Sequence, residues 1–171
     1  SIGEFAAAYL AGVFSLEDGL RLVGERGRLM QSQTEPGDMA AVFADEATVA
    51  RVVAPFAATV SLAALNASDS VVISGAKTGV AAVLTQLEAA GIKARRLTVS
   101  HSFHSPSMDP ILPKLEQIAR GISASAPELA LYSNVTGLPM TSAPPADYWA
   151  RHARQPVRFA DSLNAMYADG C

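Results

Sequence analysis

The spacing of apolar and polar positions changes along the chain, and each change predicts a new element. Residues 3–31 carry helical spacing. A small-residue-rich helix is predicted from Gly3 to about Ala11, and Gly12 breaks it. Ser15 then stands where a helix cap is expected, with Glu17 and Asp18 in the first turn. Leu20, Leu22, Val23 and Leu29 give this second helix an apolar stripe that runs to about Gln31. Thr34 to Asp38 (TEPGD) reads as a turn. Beyond it the pattern predicts strands over Met39–Ala44, Val60–Ala67, Ser70–Ala76 and Ile92–Ser100. Helices are predicted over Asp45–Ala57 and Lys77–Gly91, the latter closed by Gly91 as a C-cap. The order β-α-β-β-α-β is that of the ferredoxin-like split unit.

Downstream come a His/Ser-rich turn and a helix from about Met108. A strand is predicted over Ala130–Asn134, with a turn at Thr136-Gly137. A Pro-rich loop, a short helix near Asp147–Ala153 and a last helix opened by Pro156 complete the pattern. The segments flanking the β-α-β-β-α-β unit hold too few strands for a sheet of their own, and a layer needs partners to bury its faces. The expected organisation is α/β: a small subdomain over residues 37–100, inserted into a partial large subdomain made of residues 1–36 and 101–171.

Composition narrows the function classes. The chain has 171 residues, half of them hydrophobic and 17% charged, which is a globular composition rather than a disordered one. A net charge of −3 gives no electrostatic case for nucleic-acid binding. The single cysteine, Cys171, rules out a disulfide framework within the chain and offers no zinc site, so no metal is expected; it fits a reducing, cytoplasmic setting. No basic stretch precedes an apolar run at the N-terminus, so no signal peptide is read there. No apolar run reaches the roughly 18 residues of a membrane span.

Ser1-Ile2-Gly3 is the second half of G-x-S-x-G, the nucleophile elbow. In that motif a serine stands ahead of a helix, and the amide of the next residue, here Ile2, can donate to an oxyanion. The other reading of Ser1 is a helix-capping serine. HSFHS (His101 to Ser105) supplies two of the three histidines, and either His101 or His104 could take the proton of a serine. Arg26 and Arg28, two positions apart, cannot face the same way on a helix. One could bind a carboxylate with its planar fork, or both could be surface residues, with Arg26 pairing with Glu25 or Asp18. Arg151-His152-Ala153-Arg154 follows Tyr148-Trp149 and reads either as a basic cluster for an acidic partner or phosphate, or as a solvated helix face.

SIGEF, ERGRLMQ, HSFHS with PSMDPIL, YSNVTG and YWARHARQPVRF, in this order, resemble the acyltransferase domains of modular polyketide synthases. These are similar to the malonyl-CoA:acyl-carrier-protein transacylases of fatty-acid synthesis. The resemblance covers essentially the whole chain. It implies an α/β-hydrolase-like large subdomain with an inserted ferredoxin-like subdomain, and a ping-pong acyl transfer. Ser1 matches the family's nucleophile and His104 its general base. Arg26 matches the arginine that pairs with the free carboxylate of malonyl-type substrates. The position of His152 matches a residue whose backbone carbonyl orients the catalytic histidine. Phe103 agrees with the His-Ala-Phe-His-Ser pattern that goes with malonyl rather than methylmalonyl, while Ser102 departs from its alanine.

The same resemblance implies malonyl-CoA as substrate, no bound cofactor, and transfer to the phosphopantetheine thiol of an acyl carrier protein. The implied neighbours are a ketosynthase and other synthase domains. The Gly-His that precedes the family's serine, an upstream Gln-containing loop and flanking strands are not in the sequence. The expectation is therefore an internal fragment with little activity alone and with exposed apolar surface. Two other readings stand beside this one. One is an N-terminal-nucleophile hydrolase using the Ser1 amine as base. The other is a non-catalytic ferredoxin-like binding module. The distance between the Ser1 and His104 side chains separates the transferase from the binding module.

Overall fold

The computed structural model describes residues 1–32 and 35–171. Thr34 of the expected TEPGD turn lies outside the described residues, and Gly37 and Asp38 belong to a strand instead. Two helices open the chain, α1 (Gly3–Leu10) and α2 (Leu16–Gln31). The Ser15 hydroxyl accepts from the Asp18 amide at 3.1 Å, which satisfies one of the free donors at the start of α2.

Next come β1 (Gly37–Val42), α3 (Glu46–Val53), β2 (Val60–Ala67), β3 (Ser70–Ala76), α4 (Lys77–Ala89) and β4 (Ala94–Leu97). The Asp45 carboxylate caps α3 by accepting from Thr48 N–H at 2.9 Å. α3 stops short of its expected end because Pro55 offers no amide, and the chain tightens into a 3₁₀ turn over Ala54–Phe56. The four strands form one sheet in the order β2-β3-β1-β4, and every paired neighbour is antiparallel.

Alternation along the strands divides their side chains between two faces. Ala40, Val42, Val71 and Ile73 pack with Val49, Val80 and Leu87 of α3 and α4. The opposite face carries a smaller cluster of Met39, Ala63 and Val72, against which Leu97 and Phe103 pack. β1 starts earlier than expected because its register with β3 extends to Gly37↔Ala76. β4 is shorter than expected: it pairs only with Met39–Val42 of β1, and the chain then leaves for the HSFHS loop.

A 3₁₀ turn (Pro106–Ile111) leads into α5 (Leu112–Arg120), followed by α6 (Tyr148–Arg154) and α7 (Phe159–Ala168). α1, α2, α5 and α6 share a second core built on Phe5, Leu22, Met108, Leu115 and Trp149. The Phe5 and Trp149 rings stack at 4.4 Å between centroids, which locks α1 to α6.

Two expectations fail for physical reasons. No strand forms over Ala130–Asn134: Tyr132 makes one bridge to Pro139, and among the described residues its only strand-like partner is its own return through Leu138–Met140. The last helix starts at Phe159 rather than at Pro156, because Val157 instead bonds to the bulged edge strand β2. Leu65 N–H donates to the Val157 carbonyl at 2.8 Å, and Val157 N–H donates to the Ala63 carbonyl at 2.9 Å. That graft brings the end of α6 against the sheet. The large apolar side chains of Leu10, Leu16, Leu20 and Tyr167 are exposed.

Candidate active site

Ser1 precedes the first turn of α1, and its carbonyl accepts from Glu4 N–H at 3.2 Å. His104 approaches from the loop between β4 and the 3₁₀ turn. The Ser1 Oγ and His104 Nε2 atoms are 3.1 Å apart. His104 Nδ1 lies 2.9 Å from the Gln155 carbonyl, just past α6. A carbonyl can only accept, so Nδ1 carries the proton and Nε2 is left as the acceptor for the Ser1 hydroxyl. Of the two candidate histidines, His104 is the one set against Ser1. His101 instead has Nδ1 2.9 Å from Ser100 Oγ and its ring beside Phe103.

The backbone of His104 is left-handed, with φ 58°, alone among the described non-glycine residues. The serines around it hold this bend. Ser105 Oγ donates to the Ser102 carbonyl at 2.6 Å, Ser102 Oγ donates to Ser107 Oγ at 2.9 Å, and Met108 N–H donates to the Ser105 carbonyl at 2.9 Å. Ser102 in turn presses on the start of β1. A Cβ at Gly37 would sit 2.2 Å from Ser102 Oγ, so only glycine fits there. In the sequence Ser102 stands out only as a departure from the family's alanine, and its packing partner Gly37 lies in a different element, so no local signal marks the contact.

Arg26 projects from α2 into the same site and is only 7% exposed. Its Nη2 donates to Ser1 Oγ at 3.5 Å, its guanidinium lies 5.8 Å from the Phe5 ring centroid, and its Nε has no hydrogen-bond partner among the described residues. Arg28, not Arg26, holds Glu25, with contacts of 3.0 and 2.7 Å. Burial brings the Arg26 pKa down to about 10, so it remains a cation at neutral pH. Burial, then the nearby Arg26 and His152, push His104 from 6.5 down to about 3, against the opposing hydrogen bond to Gln155. His104 is therefore a neutral base at neutral pH.

The remaining expected residues fall as follows. Ile2 is exposed at the N-cap of α1, beside the nucleophile. Phe103 is half-buried between the helical core and the sheet face. For His152 the structure corrects the sequence reading. The carbonyl that holds His104 is that of Gln155, three residues on. His152 itself is 2% exposed, packed edge-on against Phe5 and Trp149, so its side chain does not reach a substrate. The arginines of the basic cluster around it stay partly exposed and form surface ion pairs, Arg151 with Asp147 at 2.8 Å and Arg154 with Asp109 at 2.6 Å.

Ser1 and His104 open into a cleft of about 640 Å³ between α1 and the sheet, lined by Met39, Ala63, Val72, Leu97 and Val157 among others. Among the described residues no cluster of His, Cys, Asp and Glu could hold a metal, and no helix is long and apolar enough to cross a membrane.

Residues 1–171 match the profile of the acyl transferase domain. The chain belongs to the acyl transferase domain family. It is 48% identical over 171 residues to mycoketide-CoA synthase of Mycobacterium tuberculosis, covering 99% of this chain and 4% of that protein. It is 44% identical over 172 residues to polyketide synthase GfsA of Streptomyces halstedii, covering 99% of this chain and 2% of that one. Among solved structures, the acyltransferase domain from the second module of the salinomycin polyketide synthase superposes with a TM-score of 0.96 at 44% identity, over 99% of this chain and 40% of that one. The malonyl-CoA:acyl carrier protein transacylase of Xanthomonas oryzae pv. oryzae superposes with a TM-score of 0.87 at 31% identity, over 98% of this chain and 56% of that one. The chain thus spans a small part of the synthases it matches and less than half of the salinomycin domain.

Proposed function

We propose that these residues carry the reacting pair of a malonyl-type acyltransferase, which moves an extender unit from acyl-CoA to the phosphopantetheine thiol of an acyl carrier protein in polyketide biosynthesis. The observation that carries this reading is the 3.1 Å contact between Ser1 Oγ and His104 Nε2, with His104 Nδ1 held by the Gln155 carbonyl. In the first half-reaction Ser1 Oγ attacks the thioester carbonyl while His104 Nε2 takes its proton. The carbon–sulfur bond breaks, and the departing CoA thiolate receives that proton from His104. In the second, His104 takes the proton of the phosphopantetheine thiol, the sulfur attacks the acyl-serine, and Ser1 Oγ leaves as a hydroxyl. The Ile2 amide, at the N-cap of α1, is one donor to the oxyanion of each tetrahedral intermediate.

Arg26 supplies the preference for a dicarboxylic acyl group. A buried guanidinium without a carboxylate partner is relieved by the free carboxylate of malonyl, whereas acetyl leaves it unpaired. Phe103, adjoining the base, crowds a substituent on the α-carbon and favours malonyl over methylmalonyl, a one-methyl choice worth about 1–3 kcal/mol. Residues 37–100 form a ferredoxin-like small subdomain, which the β2-β3-β1-β4 antiparallel order supports. Residues 1–36 and 101–171 belong to an α/β-hydrolase-like large subdomain. The partners are a carrier protein and neighbouring synthase domains such as a ketosynthase, in the cytoplasm, with no bound cofactor. No specific observation favours the hydrolase or binding-module readings: Ser1 leads into a helix, and its side chain meets that of His104.

The test is transfer of labelled malonyl from malonyl-CoA to a phosphopantetheinylated carrier protein by the full-length acyltransferase domain. Label should reach the carrier protein and should not do so in Ser1→Ala. Transfer that survives in Ser1→Ala removes Ser1 from the reaction.

A further inference from the structure

Among the described residues Glu4 is the one carboxylate buried beside the reacting pair, and the acyl-transfer steps above do not use it. Its side chain is 1% exposed. One oxygen, Oε1, accepts a hydrogen bond from the Tyr148 hydroxyl. The other, Oε2, accepts from the Asn134 backbone N–H at 2.8 Å and lies 3.3 Å from His152 Nε2. Among the described residues the two ring nitrogens of His152 make no hydrogen bond, and the Glu4 carboxylate oxygen is a polar group that faces an imidazole packed against the Phe5 and Trp149 rings.

These contacts join the two supports of the reacting pair. Glu4 stands in the first turn of α1, and its own N–H donates to the Ser1 carbonyl. Tyr148 and His152 are four residues apart and share one face of α6. α6 ends at Gln155, whose carbonyl sets the orientation of His104. One carboxylate therefore ties the helix that presents the nucleophile to the helix whose end aims the base.

We propose that Glu4 is a positioning residue: its carboxylate, shared between Tyr148 and His152, sets the approach of Ser1 to His104 and so governs the rate of acyl transfer rather than the affinity for acyl-CoA. This inference rests on the Ser1–His104 reading of the function.

The experiment measures Ser1 acylation from malonyl-CoA in single turnovers by the full-length acyltransferase domain, alongside KM and thermal unfolding. Glu4→Gln keeps the side-chain size but gives Oε1 or Oε2 up to an NH2 group that cannot accept. Its acylation rate should fall roughly 10- to 100-fold while KM for malonyl-CoA stays unchanged, as a small misplacement of reacting groups produces. Tyr148→Phe removes one clamp bond, keeps the ring and leaves the other Glu4 contacts; it should show a smaller loss of rate, again without a change in KM. If Glu4→Gln does not fold, Tyr148→Phe decides alone. A folded variant with the wild-type rate, or one whose defect lies in KM, overturns the proposal. Failure of the underlying reading looks different: the wild-type domain itself would not acylate Ser1.

Discussion

Replacing Arg26 with alanine should strip the site of its preference for a dicarboxylic acyl group. The guanidinium is 7% exposed, and burial brings its pKa well below the usual arginine range, to about 10. That drop corresponds to a burial cost of about 3 kcal/mol for the charge. Among the described residues no carboxylate offsets it. Its hydrogen bond to Ser1 Oγ is long at 3.5 Å. A malonyl carboxylate received here gains a hydrogen bond to a charged group, worth about 1.5–3 kcal/mol. The malonyl-to-acetyl ratio of kcat/KM should therefore fall roughly 10- to 150-fold in Arg26→Ala, at 1.4 kcal/mol per factor of ten. Arg26→Lys should recover only part of it, because an ammonium lacks the planar fork. The assay is CoA release from malonyl-CoA and acetyl-CoA by the full-length domain. A second readout comes from the same substitution: Arg26 is the largest charge effect holding the His104 pKa down, so the acidic limb of the rate profile should move to higher pH. An unchanged malonyl-to-acetyl ratio would refute the carboxylate role.

Three further outcomes follow from the same geometry. With His104 held near 3, the acidic limb of kcat/KM for acylation should lie well below the 6.5 of an ordinary histidine, which a pH series of single-turnover rates measures. The same shift bears on stability: between pH 6.5 and about 3 the unfolded chain binds a proton on His104 that the native one refuses, so stability is lost as the pH is lowered through that window. The slope is at most about 1.4 kcal/mol per pH unit and should be smaller in His104→Ala by urea unfolding. Gly37→Ala forces a Cβ to within 2.2 Å of Ser102 Oγ and 2.8 Å of Ser102 N, which should cost about 1–3 kcal/mol of stability and slow acylation through the His104 loop. Wild-type values for both would show that the loop is not braced there.

Much of the fold is legible in the chain because its signals are local. The bounds of β2 and β3 follow from apolar runs between clear turns, and Ser15 and Asp45 announce their helices as caps. What escapes is non-local. Val157 reads as part of a helix, yet its backbone is committed to β2, more than ninety residues earlier. Ala130–Asn134 has strand composition but finds only its own hairpin return. The site divides in the same way. Ser1, Arg26 and His104 stand out by chemistry and motif. The Gln155 carbonyl does not, since every residue has a carbonyl and only the path of α6 selects this one. Glu4 reads as an acidic residue in a helix's first turn, and its burial against Tyr148 and His152 depends on residues more than 140 positions away.

The most direct test of the account is peptide mapping of the full-length domain after brief exposure to malonyl-CoA, with His104→Ala in parallel. The account predicts one malonyl ester on Ser1 in the wild type and none, on the same timescale, without His104. A malonyl group on another residue, or acylation of Ser1 at the wild-type rate in His104→Ala, would contradict it.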